Sequence, residues 1–158
     1  MKYYVEVPCD NITIISKKIY EFLSTTTNLL DGNKQGWHFI DCTNTLLHVP
    51  ELNDYFRCNK LLPRHAAITL VYDNNTLPPH IDEPPVIAKI NFPVKNTQGW
   101  ANCWYVENKL VSELLDLPYP IVFNSQITHS VERRLPSANT PRIVASFTFH
   151  NEPLHLLK

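Results

Sequence analysis

Val86-Ile-Ala-Lys-Ile-Asn-Phe-Pro-Val94 sets Ala88, Ile90, Phe92 and Val94 against Lys89, Asn91 and Pro93 at alternate positions. In an extended chain residues two apart share a face, so one side of this segment is apolar and the other carries groups that a dry core excludes. Arg142-Ile-Val-Ala-Ser-Phe-Thr-Phe149 repeats the pattern, with Ile143, Ala145, Phe147 and Phe149 on one side and Arg142, Val144, Ser146 and Thr148 on the other. Two strands of this kind predict a sheet that covers a core with one face and lines a polar-walled barrel mouth with the other.

Working outward, the second half of the chain holds further short strand-like runs: Ala66 to Tyr72, Asn102 to Val106, Pro120 to Phe123 and Thr128 to Glu132, separated by proline- or asparagine-rich turns. The first part reads differently. Lys2 to Val7 alternates as a short strand stopped by Pro8, and Asp10 is placed to cap a helix from about Asn11 to Leu30. Ile12, Ile15, Ile19, Phe22 and Leu23 recur there at helical spacing and form a core stripe. Asp31-Gly32-Asn33 is a turn, Trp37 to Cys42 a strand, and Pro50 to Phe56 a short helix opened by proline. Many short strands preceded by one or two helices predict a mainly β (α+β) fold. The expected architecture is a double-stranded β-helix, or jelly roll, with N-terminal supporting helices on one outer face. One domain is expected over 1–158, with 1–65 as a helical support region and 66–153 as the barrel core.

Composition narrows the function classes. The chain has 158 residues, 44% of them apolar, enough for one full core. A formal net charge of −1 leaves no basic footprint for a nucleic-acid backbone, so no nucleic-acid partner is expected. Glycine is scarce, at 3 residues against 13 prolines, which excludes a glycine-rich phosphate loop. No run is long and apolar enough for a membrane span, and the N-terminus lacks the apolar stretch of a signal peptide, so a cytoplasmic protein is expected. Cys9, Cys42, Cys58 and Cys103 form no CxxC or CxxH and read as buried reduced thiols.

The chemistry concentrates in His80-Ile-Asp82, His129 and Arg142. In a β conformation His80 and Asp82 point the same way and can bite one metal. Two imidazoles and one carboxylate suit a divalent first-row metal, above all Fe(II), with positions left open for other ligands. An HxD pair alone arises by chance too readily to decide anything. Its weight comes from placement: His129 opens a strand after 46 intervening residues, and Arg142 opens the next, thirteen residues on. An arginine there can clamp a carboxylate-bearing cosubstrate.

Leu77-Pro-Pro-His-Ile-Asp82, Ala88-Lys-Ile-Asn-Phe-Pro-Val94, Ile121-Val-Phe-Asn-Ser-Gln-Ile-Thr-His-Ser130 and Pro141-Arg-Ile-Val-Ala-Ser-Phe147 together resemble the Fe(II)/2-oxoglutarate-dependent oxygenases. Within them the chain is most similar to small members akin to the aspartyl/asparaginyl β-hydroxylase and proline hydroxylase branch. The resemblance spans about Ala66 to Pro153. It implies a dioxygenase that uses Fe(II), 2-oxoglutarate and O2 to hydroxylate an amino acid, a peptide side chain or another small molecule. It further implies that His80, Asp82 and His129 hold iron and that Arg142 pairs with the distal carboxylate of 2-oxoglutarate. The serine or threonine that many members carry two residues after the arginine is Val144 here, so a second anchor must come from elsewhere. Tyr72, Thr69 and Asn91 are candidates for contact with the cosubstrate, and Lys89, Trp104 and Tyr105 for contact with the substrate. Two alternatives remain open: a jelly-roll binding module without turnover, and a cupin-like metalloenzyme that does not use 2-oxoglutarate. Oligomeric state is not legible.

Overall fold

The computed structural model describes residues 2–26, 30, 36–72, 77–83, 86–151 and 153–157. In chain order the elements are β1 (Tyr4–Glu6), α1 (Ile12–Thr26), β2 (Trp37–Asp41), α2 (Thr43–Leu46), α3 (Pro50–Cys58), β3 (Pro63–Val71), β4 (Leu77–His80), β5 (Ala88–Lys95), β6 (Trp100–Val106), β7 (Lys109–Leu115), β8 (Ile121–Asn124), β9 (Thr128–Arg133) and β10 (Arg142–Phe149), followed by a 3-10 turn at Pro153–Leu157. The strands form two antiparallel sheets, ordered β1-β8-β5-β10-β3-β2 and β4-β9-β6-β7. From β3 to β10 consecutive strands fall in opposite sheets, except for the β6–β7 hairpin within the small sheet, and this is the double-stranded β-helix.

Alternation along β5 and β10 decides where the core lies. Ile143, Ala145, Phe147 and Phe149 of β10 and Ala88, Ile90 and Phe92 of β5 join Ile68 and Leu70 of β3 in the principal cluster, on the side of the large sheet that the helices cover. The stripe on α1 meets this face: Ile15, Ile19 and Leu23 are fully buried, while Ile12 and Phe22 pack partly buried at its edges. In α3, proline occupies the first turn, where its missing N–H costs nothing, Glu51 sits in the first turn and Arg57 in the last, both favourable to the helix dipole. That helix buries Leu52, Tyr55 and Phe56, and the Phe56 ring lies edge-on to Phe147 at 5.0 Å and Phe149 at 5.1 Å.

The structure departs from the sequence expectations at several places. Helix α1 ends at Thr26 among the described residues, and the expected turn at Asp31-Gly32-Asn33 lies outside them. The strands expected at Lys2 to Val7 and Trp37 to Cys42 are present as β1 and β2, and they form the two edges of the large sheet. Strand β4 was not expected, since Pro78 and Pro79 remove ladder donors. It survives as an edge strand, paired to β9 only at Leu77↔Val131 and His80↔His129. Strand β7 was also not expected: Lys109–Leu115 lacks clean alternation, and its hairpin turns through Glu107 and Asn108, both at positive φ, without a glycine. Cys42 and Cys103 are buried, but Cys9 is half-buried and Cys58 is exposed on the last turn of α3, so only two of the four thiols are core residues. No described helix is long and apolar enough to cross a membrane.

Phe56→Ala removes a fully buried ring from the helix–sheet contact. It is expected to lower unfolding free energy by about 3–5 kcal/mol, measured as a shift in the urea midpoint with the slope unchanged.

Candidate metal and carboxylate site

The inner face of the large sheet and the facing surface of the small sheet enclose a cleft of about 530 Å³, counted out to its open mouth. His80 closes the edge strand β4 and His129 is the second residue of β9, and the register sets them directly opposite each other, with ring centroids 4.4 Å apart. Asp82 lies just past β4. Its backbone N–H donates to the Ser125 carbonyl at 3.0 Å, and Gln126 Nε2 donates to the Asp82 carbonyl at 2.9 Å and the Val86 carbonyl at 2.7 Å. The β8–β9 connection thus pins the loop that carries the carboxylate.

One donor atom from each of His80, Asp82 and His129 lies within 4.8 Å of the others. Asp82 Oδ1 is 3.5 Å from His80 Nε2 and 3.7 Å from His129 Nε2. Both rings are oriented in the same manner: Nδ1 of His80 is 2.8 Å from the Pro78 carbonyl, and Nδ1 of His129 is 2.8 Å from the Ile127 carbonyl. A carbonyl only accepts, so each Nδ1 carries a proton, and in the neutral ring each Nε2 has a lone pair toward the cluster. Asp82 divides its oxygens, Oδ1 toward the imidazoles and Oδ2 toward Lys89 Nζ at 2.6 Å.

The electrostatics suit ligation. Burial raises the Asp82 carboxyl, but the bond to His80 and the Lys89 charge outweigh it and hold the group at about 2, ionised at neutral pH. Burial pushes His129 down to about 4, leaving it neutral, whereas the bond with Asp82 raises His80 above its ordinary value. Metal binding displaces the proton that Asp82 favours on His80, and two imidazole nitrogens and one carboxylate oxygen then form a donor set for a divalent first-row metal.

Arg142, at the start of β10, is 2% exposed and lines the same cleft. Burial lowers its guanidinium to about 10, still charged at neutral pH. One of its terminal nitrogens donates to Asn102 Oδ1 at 3.1 Å, and its Nε has no partner among the described residues. A buried, incompletely satisfied cation in a cleft is matched to an anionic ligand.

The cleft also receives Thr69, Asn91, Lys89 and Trp104 from the expected candidates. Tyr72 does not line it: the side chain joins the core cluster under the helices, its ring edge-on to His38. Tyr105 does not line it either, because its hydroxyl is taken by Glu132 and Ser130 beside the neighbouring strand. Arg134 is held by Glu113 at 2.6 Å and Glu132 at 2.5 Å, and Arg133 donates to the Pro136 and Ala138 carbonyls, so the basic pair serves the small sheet. Asn102, Ser146, Phe123, Ser125 and Gln126 were not foreseen. Ser146 had a signal, its place on the polar face of β10, where its hydroxyl donates to Asn91 Oδ1 at 2.7 Å.

No protein-family model and no curated protein matches the chain. Solved structures do. An oxidoreductase of the 2OG-Fe(II) oxygenase family from Burkholderia pseudomallei superposes with a TM-score of 0.62 at 10% identity, over 92% of this chain and 82% of that one. The likeness is one of fold. A prolyl hydroxylase from Trichoplax adhaerens, in complex with a hypoxia inducible factor oxygen degradation domain peptide fragment, gives 0.59 at 13% identity over 98% and 86%. The epimerase SnoN, in complex with Fe3+, alpha ketoglutarate and nogalamycin RO, gives 0.57 at 12% identity over 92% and 77%.

Asp82→Ala and His129→Ala each remove a donor from a set of three. Each is expected to weaken binding of a divalent metal at least about a hundredfold in a direct titration, with the thermal unfolding midpoint of the metal-free protein tracked in parallel.

Proposed function

We propose that this protein is an Fe(II)/2-oxoglutarate-dependent oxygenase that hydroxylates an amino acid, a peptide side chain or another small molecule. The observation that carries the reading is the convergence of His80, Asp82 and His129 in a cleft that also holds the buried, incompletely paired Arg142. A cupin-like metalloenzyme without a carboxylate-bearing cosubstrate has no use for a buried guanidinium there.

His80 Nε2, His129 Nε2 and Asp82 Oδ1 are assigned to the metal. Arg142 is assigned to the distal carboxylate of 2-oxoglutarate, a pairing that a planar guanidinium makes with two parallel donors. Iron bound with 2-oxoglutarate supplies the oxidising chemistry, consuming O2, releasing succinate and CO2 and placing a hydroxyl on the substrate. The chain's own part is to orient and to exclude water. Trp104, Phe123, Val144 and Leu77 wall the cleft with apolar surface, and Thr69 and Asn91 offer polar contacts to the cosubstrate. Lys89 binds the non-ligating oxygen of Asp82, which presents Oδ1 alone to the metal, and it stands where an anionic group of the substrate can also reach it. The likeness to a prolyl hydroxylase, together with the carboxylate ligand Asp82, supports the proline hydroxylase side of the resemblance over the aspartyl/asparaginyl side.

Anaerobic addition of Fe(II) and 2-oxoglutarate is expected to give the weak visible metal-to-ligand charge-transfer band of this chelate. A folded, metal-loaded protein without that band overturns the proposal. Arg142→Ala is expected to keep the metal and lose 2-oxoglutarate affinity by at least about tenfold, as removal of a charge-assisted pair requires. Succinate release stimulated by candidate amino acids and peptides then identifies the substrate class.

A further inference from the structure

With valine at position 144, the strand that carries Arg142 offers no hydroxyl two residues on, and Ser146, four residues on, already donates its hydroxyl to Asn91 Oδ1, so the second donor for the distal carboxylate is sought on another strand. Asn102, on β6 in the opposing sheet, meets the requirement. It is 5% exposed, lines the cleft, and accepts from Arg142 through Oδ1 at 3.1 Å. Guanidinium has donors only, so Asn102 must turn its oxygen toward Arg142, and this leaves Nδ2 pointing away from it. Nδ2 has no partner among the described residues, and neither has Arg142 Nε. A buried amide N–H and a buried guanidinium N–H that lack acceptors in the folded chain each carry a desolvation cost that an incoming acceptor removes. Trp104, two residues further along the same face, brings a third buried donor without a partner, its Nε1. The recess around Arg142 is therefore short of acceptors, as a site for an anion should be.

We propose that Asn102 is the second anchor of the cosubstrate's distal carboxylate, donating from Nδ2 while its Oδ1 fixes the Arg142 guanidinium from the opposite sheet. The inference rests on the reading of the cleft as a site for Fe(II) and 2-oxoglutarate. It adds a residue that joins the two sheets across the ligand, where a hydroxyl on β10 would have kept both anchors on one strand. Asn102 is a binding and positioning residue and takes no part in bond making.

The test compares 2-oxoglutarate with 2-oxobutanoate, which keeps the keto-acid head and lacks the distal carboxylate. Affinities are measured by anaerobic titration of the Fe(II)-loaded 158-residue chain, for the unsubstituted protein, Asn102→Leu and Asn102→Asp. Asn102→Leu keeps the branching at Cγ, with somewhat more volume, and removes both polar atoms. Asn102→Asp retains a partner for Arg142 and so protects folding, but sets a negative charge against the incoming carboxylate. The expected result is a loss of 2-oxoglutarate affinity of about tenfold in Asn102→Leu and a larger one in Asn102→Asp, with 2-oxobutanoate affinity unchanged in both. Equal losses for the two ligands, or no loss in Asn102→Asp, overturn the anchor and leave the oxygenase reading intact. Failure of the unsubstituted protein to bind 2-oxoglutarate overturns both.

Discussion

Strand β10 must be dry on one side and wet on the other. Its odd-numbered side chains fill the core beneath the helices, while Arg142 and Ser146 face the cleft, so a one-residue slip would bury the guanidinium under the helices and expose two phenylalanines. That penalty locks its register against β3 and β5, which set Val144 opposite Thr69 and Ser146 opposite Asn91. The polar surface of the cleft follows from this single alternation. The large core on the outer side supplies the stability that lets the inner side keep a poorly satisfied cation.

The opposing sheet is organised by smaller, local devices. The two cleft histidines need no side-chain partner to orient them, because each Nδ1–H reaches a backbone carbonyl two residues earlier in its own strand or turn. Asp82 is held by the turn that follows β8, through Ser125 and Gln126, and its second oxygen is occupied by Lys89 from the large sheet. The three donors thus come from two strands and a loop, and each has a contact of its own outside the cluster.

How much of this was legible in the sequence follows from what alternation reports. It exposed β5 and β10 and the polar face that each turns inward, and it placed His80 and Asp82 on one side before any coordinates. It was silent on which face of β6 turns inward, because Trp100-Ala-Asn-Cys-Trp104 is buried throughout and no period separates the two faces. Asn102 was hidden for that reason, and its contact with Arg142 spans two sheets, a relation that no spacing along the chain encodes. Thr69 and Tyr72 illustrate the same limit from the other side. Both offer a hydroxyl near the end of one strand, yet the three-residue offset sends one into the cleft and the other into the core. Prolines concealed β4, because the donors they remove are those by which a strand is recognised.

The weakness of β4 has a consequence of its own. This edge is fastened to β9 at two register points, and the second is the pair of histidines. An ion held by both imidazoles would supply a crosslink where Pro78 and Pro79 have deleted rungs of the ladder, so binding at this centre and the hold of β4 on the barrel would be coupled.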